Sequence, residues 1–175
     1  MIGVQYSIHK PSAFINLHWA DLLPDWPGPV ASVLVILQPC SVALNHITPE
    51  SEQQKQRLRR RALYLSRQLI AALEQADYWA EGFDPRSGLP GRSRPGLMTL
   101  DDVAVVQAVL GYRLIASGDC RLIEHPTWGC RVFPCVVVST APPEILGAIA
   151  DRFWTEAGQS SRLKALAPAF GDGKG

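Results

Sequence analysis

Two kinds of apolar pattern alternate along the chain. Residues 30–37 form a continuous, largely β-branched apolar block between prolines, which predicts a strand buried on both faces. Further on, Thr48 suits the N-cap and Pro49 the first position of a helix. The apolar stripe that follows predicts a long helix, because its members recur at spacings of three and four. They are Leu58, Ala62, Leu65, Leu69, Leu73 and Ala76.

Shorter helices are predicted elsewhere in the chain. Residues 13–23 are an amphipathic segment that ends at a proline, which predicts one or two helical turns. Residues 99–110 have Thr99 as a candidate N-cap, acids in the first turn and Gly111 at the end. Residues 143–153 have the pattern of a last amphipathic helix.

Two strand-like runs lie late in the chain. Residues 120–125 and 130–140 are separated by residues 126–129, whose Pro, Thr, Trp and Gly favour a turn, so the two runs are predicted to pair as a hairpin. Pro134 lacks a backbone N–H and therefore indicates an edge or a bulge in the second run. Strands between long helices, with a late hairpin, predict an α+β sandwich.

Composition sets the size and general class of the protein. The chain has 175 residues, of which 47% are hydrophobic and 19% charged, so it can bury a substantial core. We expect one domain over residues 1–157 and a frayed tail over residues 158–175, which end in a glycine-rich segment. The chain shows no internal repeat.

Charge and hydropathy exclude several kinds of partner. Seventeen basic and 16 acidic residues give a net charge of +1, which provides no general attraction to nucleic acid. No apolar stretch approaches the roughly 20 residues that a membrane-spanning helix needs, so no membrane partner is expected. The N-terminal segment lacks a basic region ahead of an apolar block, which predicts a cytoplasmic location.

The four cysteines are interpreted as thiols, because disulfides are rare in the cytoplasm. Cys120, His125, Cys130 and Cys135 are each five residues apart, which raises the alternative of a zinc-stabilised binding module. The spacing argues against it, since side chains alternate between the faces of a strand. Cys135 and Cys40 fit buried core positions better.

Cys120 differs from the other cysteines in its surroundings. It follows Ser117, Gly118 and Asp119 at the entrance to a predicted strand, where the thiol should be accessible. Arg121 beside it favours a thiolate, whereas Asp119 opposes one.

A long loop over residues 84–96 carries three arginines. Arg86, Arg92 and Arg94 are candidates for holding a phosphate, although solvated surface charge is the commoner role of such residues. The sequence contains no glycine-rich phosphate loop, no zinc-protease motif and no ordered catalytic triad. The residues alone therefore do not identify a catalytic activity.

Two segments resemble one known family. Residues 77–89 read Asp-Tyr-Trp-Ala-Glu-Gly-Phe-Asp-Pro-Arg-Ser-Gly-Leu, and residues 118–129 read Gly-Asp-Cys-Arg-Leu-Ile-Glu-His-Pro-Thr-Trp-Gly. Both are similar to segments of the CblD family, the methylmalonic aciduria and homocystinuria type D proteins of cobalamin trafficking. A weaker similarity covers residues 18–24, and the resemblance extends over roughly residues 13–143 in the same order.

The resemblance implies a fold and a role. The fold is a nitroreductase-like α+β sandwich, with a mostly antiparallel sheet flanked by helices. The role is that of a non-catalytic adapter, which docks on a cobalamin-carrying CblC-like partner and directs the cofactor toward methionine synthase or methylmalonyl-CoA mutase. Cobalamin is then bound through the partner, and no flavin is expected. A flavin- or corrinoid-dependent nitroreductase-like reductase is the alternative.

The resemblance also implies site residues. In the family a cysteine ligates the cobalt of the partner's cobalamin, and the matching position here is Asp119, with Cys120 next to it. A carboxylate is a harder and weaker donor to cobalt than a thiolate. Cobalt ligation is therefore predicted for Cys120, provided that the turn at Ser117 and Gly118 makes the backbone irregular. The partner interface is predicted at Gly118, His125, Trp128 and Gly129. His125 is expected in a local hydrogen bond and Gly129 at positive φ. Trp128 is expected either as an exposed anchor for the partner or packed over the sheet edge.

Overall fold

The computed structural model describes residues 3–157 and 160–162. Within these residues the chain forms a mixture of helices and strands, as predicted. The elements are β1 (Val4–His9), α1 (Ala13–Leu22), β2 (Ser32–Pro39), α2 (Pro49–Gln75), β3 (Ala80–Gly82), α3 (Asp102–Leu110), β4 (Arg113–Ser117), β5 (Cys120–Glu124), β6 (Val132–Ser139), α4 (Pro143–Ala157) and β7 (Ser160–Arg162).

The main sheet has the strand order β3-β6-β2-β1-β7. All neighbours are antiparallel except β1 and β7, which are parallel. The α+β class and the mostly antiparallel sheet flanked by helices are therefore confirmed, while the nitroreductase-like arrangement stays a prediction. The predicted tail over residues 158–175 lies outside the described residues, apart from the three residues of β7. No helix in the described part of the chain is long and apolar enough to cross a membrane.

β2 lies at the centre of the sheet and is buried on both faces, as its unbroken apolar sequence predicted. Val33 and Val35 point into a core formed with α1 and α3, the α1/α3 core. Leu34 and Ile36 point to the other face, into a core formed with α2 and α4, the α2/α4 core. Each fully buried aliphatic side chain of this kind contributes roughly 1.5–3 kcal/mol relative to an exposed one.

α2 and α3 both begin at capped residues, and the cap of α3 differs from the prediction. α2 has Thr48 at its N-cap, and the Thr48 and Ser51 side chains each accept a hydrogen bond from the other's backbone N–H. The N-cap of α3 is Asp101, so the prediction of Thr99 was wrong. The Asp101 carboxylate accepts hydrogen bonds from the backbone N–H groups of Val103 and Ala104, which favours it at the positive end of the helix dipole.

The predicted hairpin between residues 120–125 and 130–140 was wrong. β5 pairs instead with β4, with Ser117 opposite Cys120, in a separate two-stranded sheet. β6 pairs with β2 along its whole length, because its buried Val-rich run fits the centre of a sheet rather than a solvated hairpin. The signal that was missed is the two-residue turn at Gly118 and Asp119.

β6 has an open edge at its N-terminal half. β3 pairs only with residues 137–139 of β6, and beyond β3 the Val136 carbonyl accepts a hydrogen bond from the Phe83 backbone N–H (3.4 Å). The backbone N–H and C=O groups of residues two apart point to the same edge of a strand. The position where Pro134 lacks an N–H therefore faces the same open side as the Val136 carbonyl. Pro134 therefore lies at a local edge, one of the two alternatives that the sequence left open.

Candidate functional site

A cleft of about 460 Å³ lies along the open edge of β6. Its walls come from the N-terminal half of α2, the turn at residues 85–88, the start of α3, the start of β5, and Phe133 and Pro134 of β6. α2 belongs to one face of the sheet, whereas α3 and the β4–β5 hairpin belong to the other. The cleft therefore forms where the two layers meet beyond the end of β3.

Cys120 is exposed and is one of the residues that line this cleft. It is the first residue of β5, directly after the turn at Gly118 and Asp119. Gly118 has φ +58° and Asp119 does not have a positive φ, as in a type II′ turn. The Ser117 hydroxyl donates a hydrogen bond to the Asn45 carbonyl (2.7 Å), which ties the hairpin to the loop after β2. The turn interrupts the regular strand directly before Cys120, whereas Ser117 and Cys120 are paired strand residues, and Asp119 is not among the residues that line the cleft.

The other predicted interface residues lie at the opposite end of β5. His125 and Gly129 form an isolated antiparallel bridge that closes a tight turn, with Gly129 at φ +57° as predicted. Five residues of strand separate His125 from Cys120, which corresponds to roughly 16 Å. The structure therefore does not bring Cys120 together with His125, Trp128 and Gly129, and the interface role of these three stays a prediction.

His125 is buried and hydrogen-bonded locally, as predicted. Its Nδ1 accepts the backbone N–H groups of Thr127 and Trp128, both at 3.1 Å. Its Nε2 therefore carries the proton and donates to Gln5 Oε1 at 2.9 Å. Burial lowers the pKa of His125, which favours this neutral tautomer. Trp128 is half-buried, stacks on the His125 ring at 4.2 Å and packs against the α1/α3 core.

The remaining cysteines lie in different surroundings. Cys135 is fully buried in the α2/α4 core, 3.3 Å from the Ser66 hydroxyl, and burial raises the pKa of its thiol to about 12. The Cys40 thiol donates to the Val42 carbonyl (2.7 Å), and burial raises its pKa. Cys130 is half-buried and precedes β6. Among the described residues, no group of three or more His, Cys, Asp or Glu side chains is placed to hold a metal ion, so the zinc interpretation has no geometric support there.

The arginines of the long loop do not converge on one point. Arg92 pairs with Glu74 on α2 (2.6 Å), and Arg94 pairs with Asp25 (3.1 Å). The loop is fixed instead by the buried Glu81 of β3. The Glu81 carboxylate accepts backbone N–H groups from Gly82, Gly91, Arg92 and Ser93 at 2.6–3.2 Å. Arg92 and Arg94 thus form exposed ion pairs, in line with the surface role that the sequence favoured over phosphate binding, and the Glu81 carboxylate holds the loop.

Charges around the cleft are largely paired. Lys55 contacts Glu52 (2.8 Å) and Arg121 contacts Asp101 (3.0 Å). Arg59 makes a two-point contact with Asp84, and Arg86 adds a further positive charge next to the same carboxylate. Because each of these acids has a basic partner, the cleft walls offer no concentrated charge of one sign.

Asp102 is a functional candidate that the sequence prediction missed. It lines the cleft at the first position of α3, it is only 6% exposed, and neither carboxylate oxygen has a hydrogen-bond partner among the described residues. Burial raises the pKa of Asp102 well above its usual range, and the charges of Asp101 and Asp84 add to the effect. The sequence signal was the pair of adjacent acids at the helix start, since one residue suffices to cap a helix.

Comparison with known proteins identifies the family. The family described as methylmalonic aciduria and homocystinuria type D protein matches residues 3–149. Cobalamin trafficking protein CblD of Homo sapiens is 23% identical over 141 residues, which cover 81% of this chain and 48% of that protein. The protein of the same name in Rattus norvegicus is 23% identical over 129 residues, covering 74% of this chain and 44% of that protein. The chain spans about half the length of the curated relatives it matches. It belongs to the methylmalonic aciduria and homocystinuria type D protein family.

Proposed function

We propose that this chain takes part in cobalamin trafficking as a non-catalytic adapter. It docks on a CblC-like partner that carries cobalamin, and the Cys120 sulfur becomes a ligand to the cobalt. Membership of the family supports the role in trafficking. The exposure of Cys120 at the edge of the cleft is the observation that supports its role as the ligand.

The chemistry follows from the donor. A thiolate is polarizable and binds soft metal centres well, whereas the Asp119 carboxylate is a hard donor suited to other ions. Ligation requires the thiolate, so the Cys120 proton passes to solvent when the sulfur binds. A sulfur ligand changes the electron density at cobalt. It therefore changes how easily the cobalt is reduced and how easily the cobalamin passes to the next protein.

The hairpin turn makes this geometry available. The type II′-like turn at Gly118 ends at Cys120, so the thiol lies beside an exposed turn at which a partner's cofactor can approach. In this proposal the cofactor passes on to methionine synthase or methylmalonyl-CoA mutase, and the chain acts in the cytoplasm.

Electron paramagnetic resonance tests the proposal. Cob(II)alamin is loaded on a CblC-like protein, and the spectrum is recorded before and after addition of this chain. We expect a changed cobalt signal with the wild-type chain and with Cys130→Ser, which serves as the matched thiol control. Cys120→Ser should abolish the change, whereas Asp119→Asn should preserve it. The same change with Cys120→Ser would remove Cys120 from the role.

A further inference from the structure

Cys120 lies at the exposed end of a hairpin. β4 and β5 form a sheet of only two strands, and such a sheet is marginally stable by itself. The hairpin is anchored by Ile123, which is buried in the α1/α3 core three residues beyond Cys120. By contrast, residues 118–121 at the tip are all exposed. The position of the Cys120 sulfur therefore depends on the polar contacts that the tip makes.

Two such contacts hold the tip within the described part of the chain, one on each face of the hairpin. Directly paired residues share a face, so Ser117 lies on the same face as Cys120. The Ser117 hydroxyl donates to the Asn45 carbonyl at 2.7 Å. Arg121 lies on the opposite face, and its Nη2 donates to Asp101 Oδ2 at 3.0 Å. The two strands are thus connected to different parts of the domain on either side of the turn.

Asp101 is a fixed anchor because its two carboxylate oxygens have separate partners. Oδ1 accepts the backbone N–H groups of Val103 and Ala104 at 2.9 and 3.2 Å, which caps α3. Oδ2 pairs with Arg121. α3 itself packs into the α1/α3 core. The ion pair therefore connects the residue that follows Cys120 to an element of the domain interior.

A contribution to overall stability does not account for this ion pair. The Arg121 and Asp101 side chains are 57% and 51% exposed, and a pair so exposed contributes little to folding. Its loss changes an equilibrium by a factor of about five or less. A factor of this size is minor for the folding of a domain, but it changes how often an exposed hairpin tip occupies one position.

Ligation of cobalt sets a strict requirement on that position. The corrin nitrogens occupy the plane around the metal, so a sulfur ligand must approach along the axis perpendicular to the ring. Productive geometry of this kind has to be held within about 0.5 Å and about 10–20°. A tip that moves freely presents the sulfur correctly for only a fraction of the time, and the apparent affinity falls by that fraction.

We propose that Asp101 is a positioning residue, which holds the Cys120 sulfur in the orientation for cobalt through its ion pair with Arg121. The inference rests on the proposed function, which supplies the cobalt. All three residues line the same cleft, so the ion pair lies beside the place of ligation. The contact between Ser117 and Asn45 remains when the ion pair is lost, so the hairpin stays folded without it.

Asp101→Asn separates positioning from helix capping. An asparagine oxygen caps a helix about as well as an aspartate oxygen, while the asparagine NH2 group replaces the oxygen that accepts from Arg121. Asp25→Asn is the matched control, because it breaks a similarly exposed pair with Arg94 (3.1 Å) outside the cleft. Both variants should keep the wild-type Tm to within about 3 °C.

NMR relaxation of the backbone amides, measured on the chain alone, tests whether the ion pair restrains the tip. The order parameters of residues 118–120 should fall in Asp101→Asn, to below about 0.6, and should not change in Asp25→Asn. Alkylation of Cys120 by iodoacetamide should keep its rate to within about twofold, because the thiol is exposed with or without the pair. Equal order parameters in Asp101→Asn and wild type would overturn the inference.

Electron paramagnetic resonance then measures ligation. The cob(II)alamin-loaded partner is titrated with each variant, and Asp101→Asn should raise the Kd for the ligated signal about two- to fivefold. Arg121→Gln should raise it by the same factor, and the double variant no further, because the two residues act as one pair. Asp25→Asn should bind like the wild type. Equal Kd values for Asp101→Asn and wild type, or additive losses in the double variant, would contradict positioning through the pair.

A cobalamin-free partner separates positioning from docking. Its Kd should not change with Asp101→Asn, because the orientation of the sulfur affects only the ligated state. An equal loss with this partner would place the ion pair in the docking surface and overturn the inference. If the wild-type chain leaves the cobalt signal unchanged, the proposed function fails. The order parameters then still support Asp101 as the residue that positions Cys120, or overturn it.

Discussion

Arg59 on α2 makes a two-point ion pair with Asp84, the first residue of the turn that borders the cleft. Arg59 Nε lies 2.7 Å from Asp84 Oδ1, and its Nη2 contacts Oδ2. The same carboxylate accepts the Arg86 backbone N–H at 2.9 Å. Asp84 thus fixes the shape of its own turn and connects that turn to the long helix.

Asp84→Asn should lower the free energy of unfolding by about 1.5 kcal/mol, because charge-assisted bonds to a partly buried carboxylate are lost. Urea denaturation at pH 7 measures the effect. Glu74→Gln breaks the exposed pair with Arg92 and should cost less than about 1 kcal/mol, which makes it the matched control. Equal losses in the two variants would contradict the role of Asp84.

The Asp84 pair should also make stability depend on pH. The Arg59 guanidinium lowers the pKa of Asp84, so the folded state binds its proton less readily than the unfolded chain does. This stabilisation is present above the unfolded pKa of about 3.9 and is lost as pH falls through the folded pKa. The difference in the free energy of unfolding between wild type and Asp84→Asn should therefore become smaller below a pH of about 4.

Gly118 has a positive φ that ordinary side chains resist. An added Cβ would meet no atom within 4 Å, so the cost of Gly118→Ala is conformational rather than steric, at about 1 kcal/mol. Gly118→Asn should cost less, because asparagine tolerates this conformation better. Gly28 has equally open space without a positive φ, so Gly28→Ala is the control and should be nearly neutral. A lower Tm for Gly28→Ala than for Gly118→Ala in thermal denaturation would contradict this account.

The cysteines should differ sharply in reactivity. Cys120 is exposed, whereas Cys135 is fully buried, and burial raises the pKa of its thiol to about 12, so little of it is in the reactive thiolate form. Iodoacetamide at pH 8, followed by peptide mass spectrometry, should therefore modify Cys120 first and leave Cys135 unmodified until the protein is unfolded in urea. Early modification of Cys135 in the folded protein would disprove its burial beside Ser66.

His125 should make its turn sensitive to acid. Protonation of Nδ1 removes the acceptor for the Thr127 and Trp128 N–H groups, and burial lowers the pKa of His125. The stabilisation from neutral His125 is present above an unfolded pKa of about 6.5 and is lost as pH falls through the folded pKa. His125→Asn should reduce the loss of stability between pH 7 and 5, since the asparagine oxygen still accepts backbone N–H groups.

His9 provides the comparison for this test. Burial also lowers the pKa of His9, so it contributes to pH dependence with the same sign. His9→Asn leaves the His125 turn intact, and Trp128 fluorescence should then still change on acidification. A fluorescence change that disappears with His9→Asn and persists with His125→Asn would show that His9, and not His125, causes the effect.

The elements that the sequence predicted correctly are those defined by local chemistry. α2 has a cap, a proline at its start and a long apolar stripe, and β2 has an unbroken apolar run. The pairing of β5 was harder to predict, because the local signal for it, the turn at Gly118 and Asp119, is only two residues long. Residues 113–117 alternate only weakly, whereas the Val-rich β6 is drawn to the buried centre of the sheet.

The candidate site was predictable in part for the same reason. Cys120 stands out because it follows a turn-forming Gly-Asp pair, and its exposure is a local property. Asp102 stands out less, since even a pair of adjacent acids at a helix start is common in sequences. Its burial depends on how α3 packs against β6, and these two elements are far apart in the chain.

Elements from both faces of the sheet form the walls of the cleft. This affects where in the domain inactivating substitutions are expected. A substitution that loosens α2, or one that displaces α3 or the hairpin, would deform the same cavity without altering any residue that lines it. Inactivating variants of this protein should therefore scatter through the interior of the domain rather than trace the outline of the cleft. Refolding or stabilising compounds would be expected to rescue many of them.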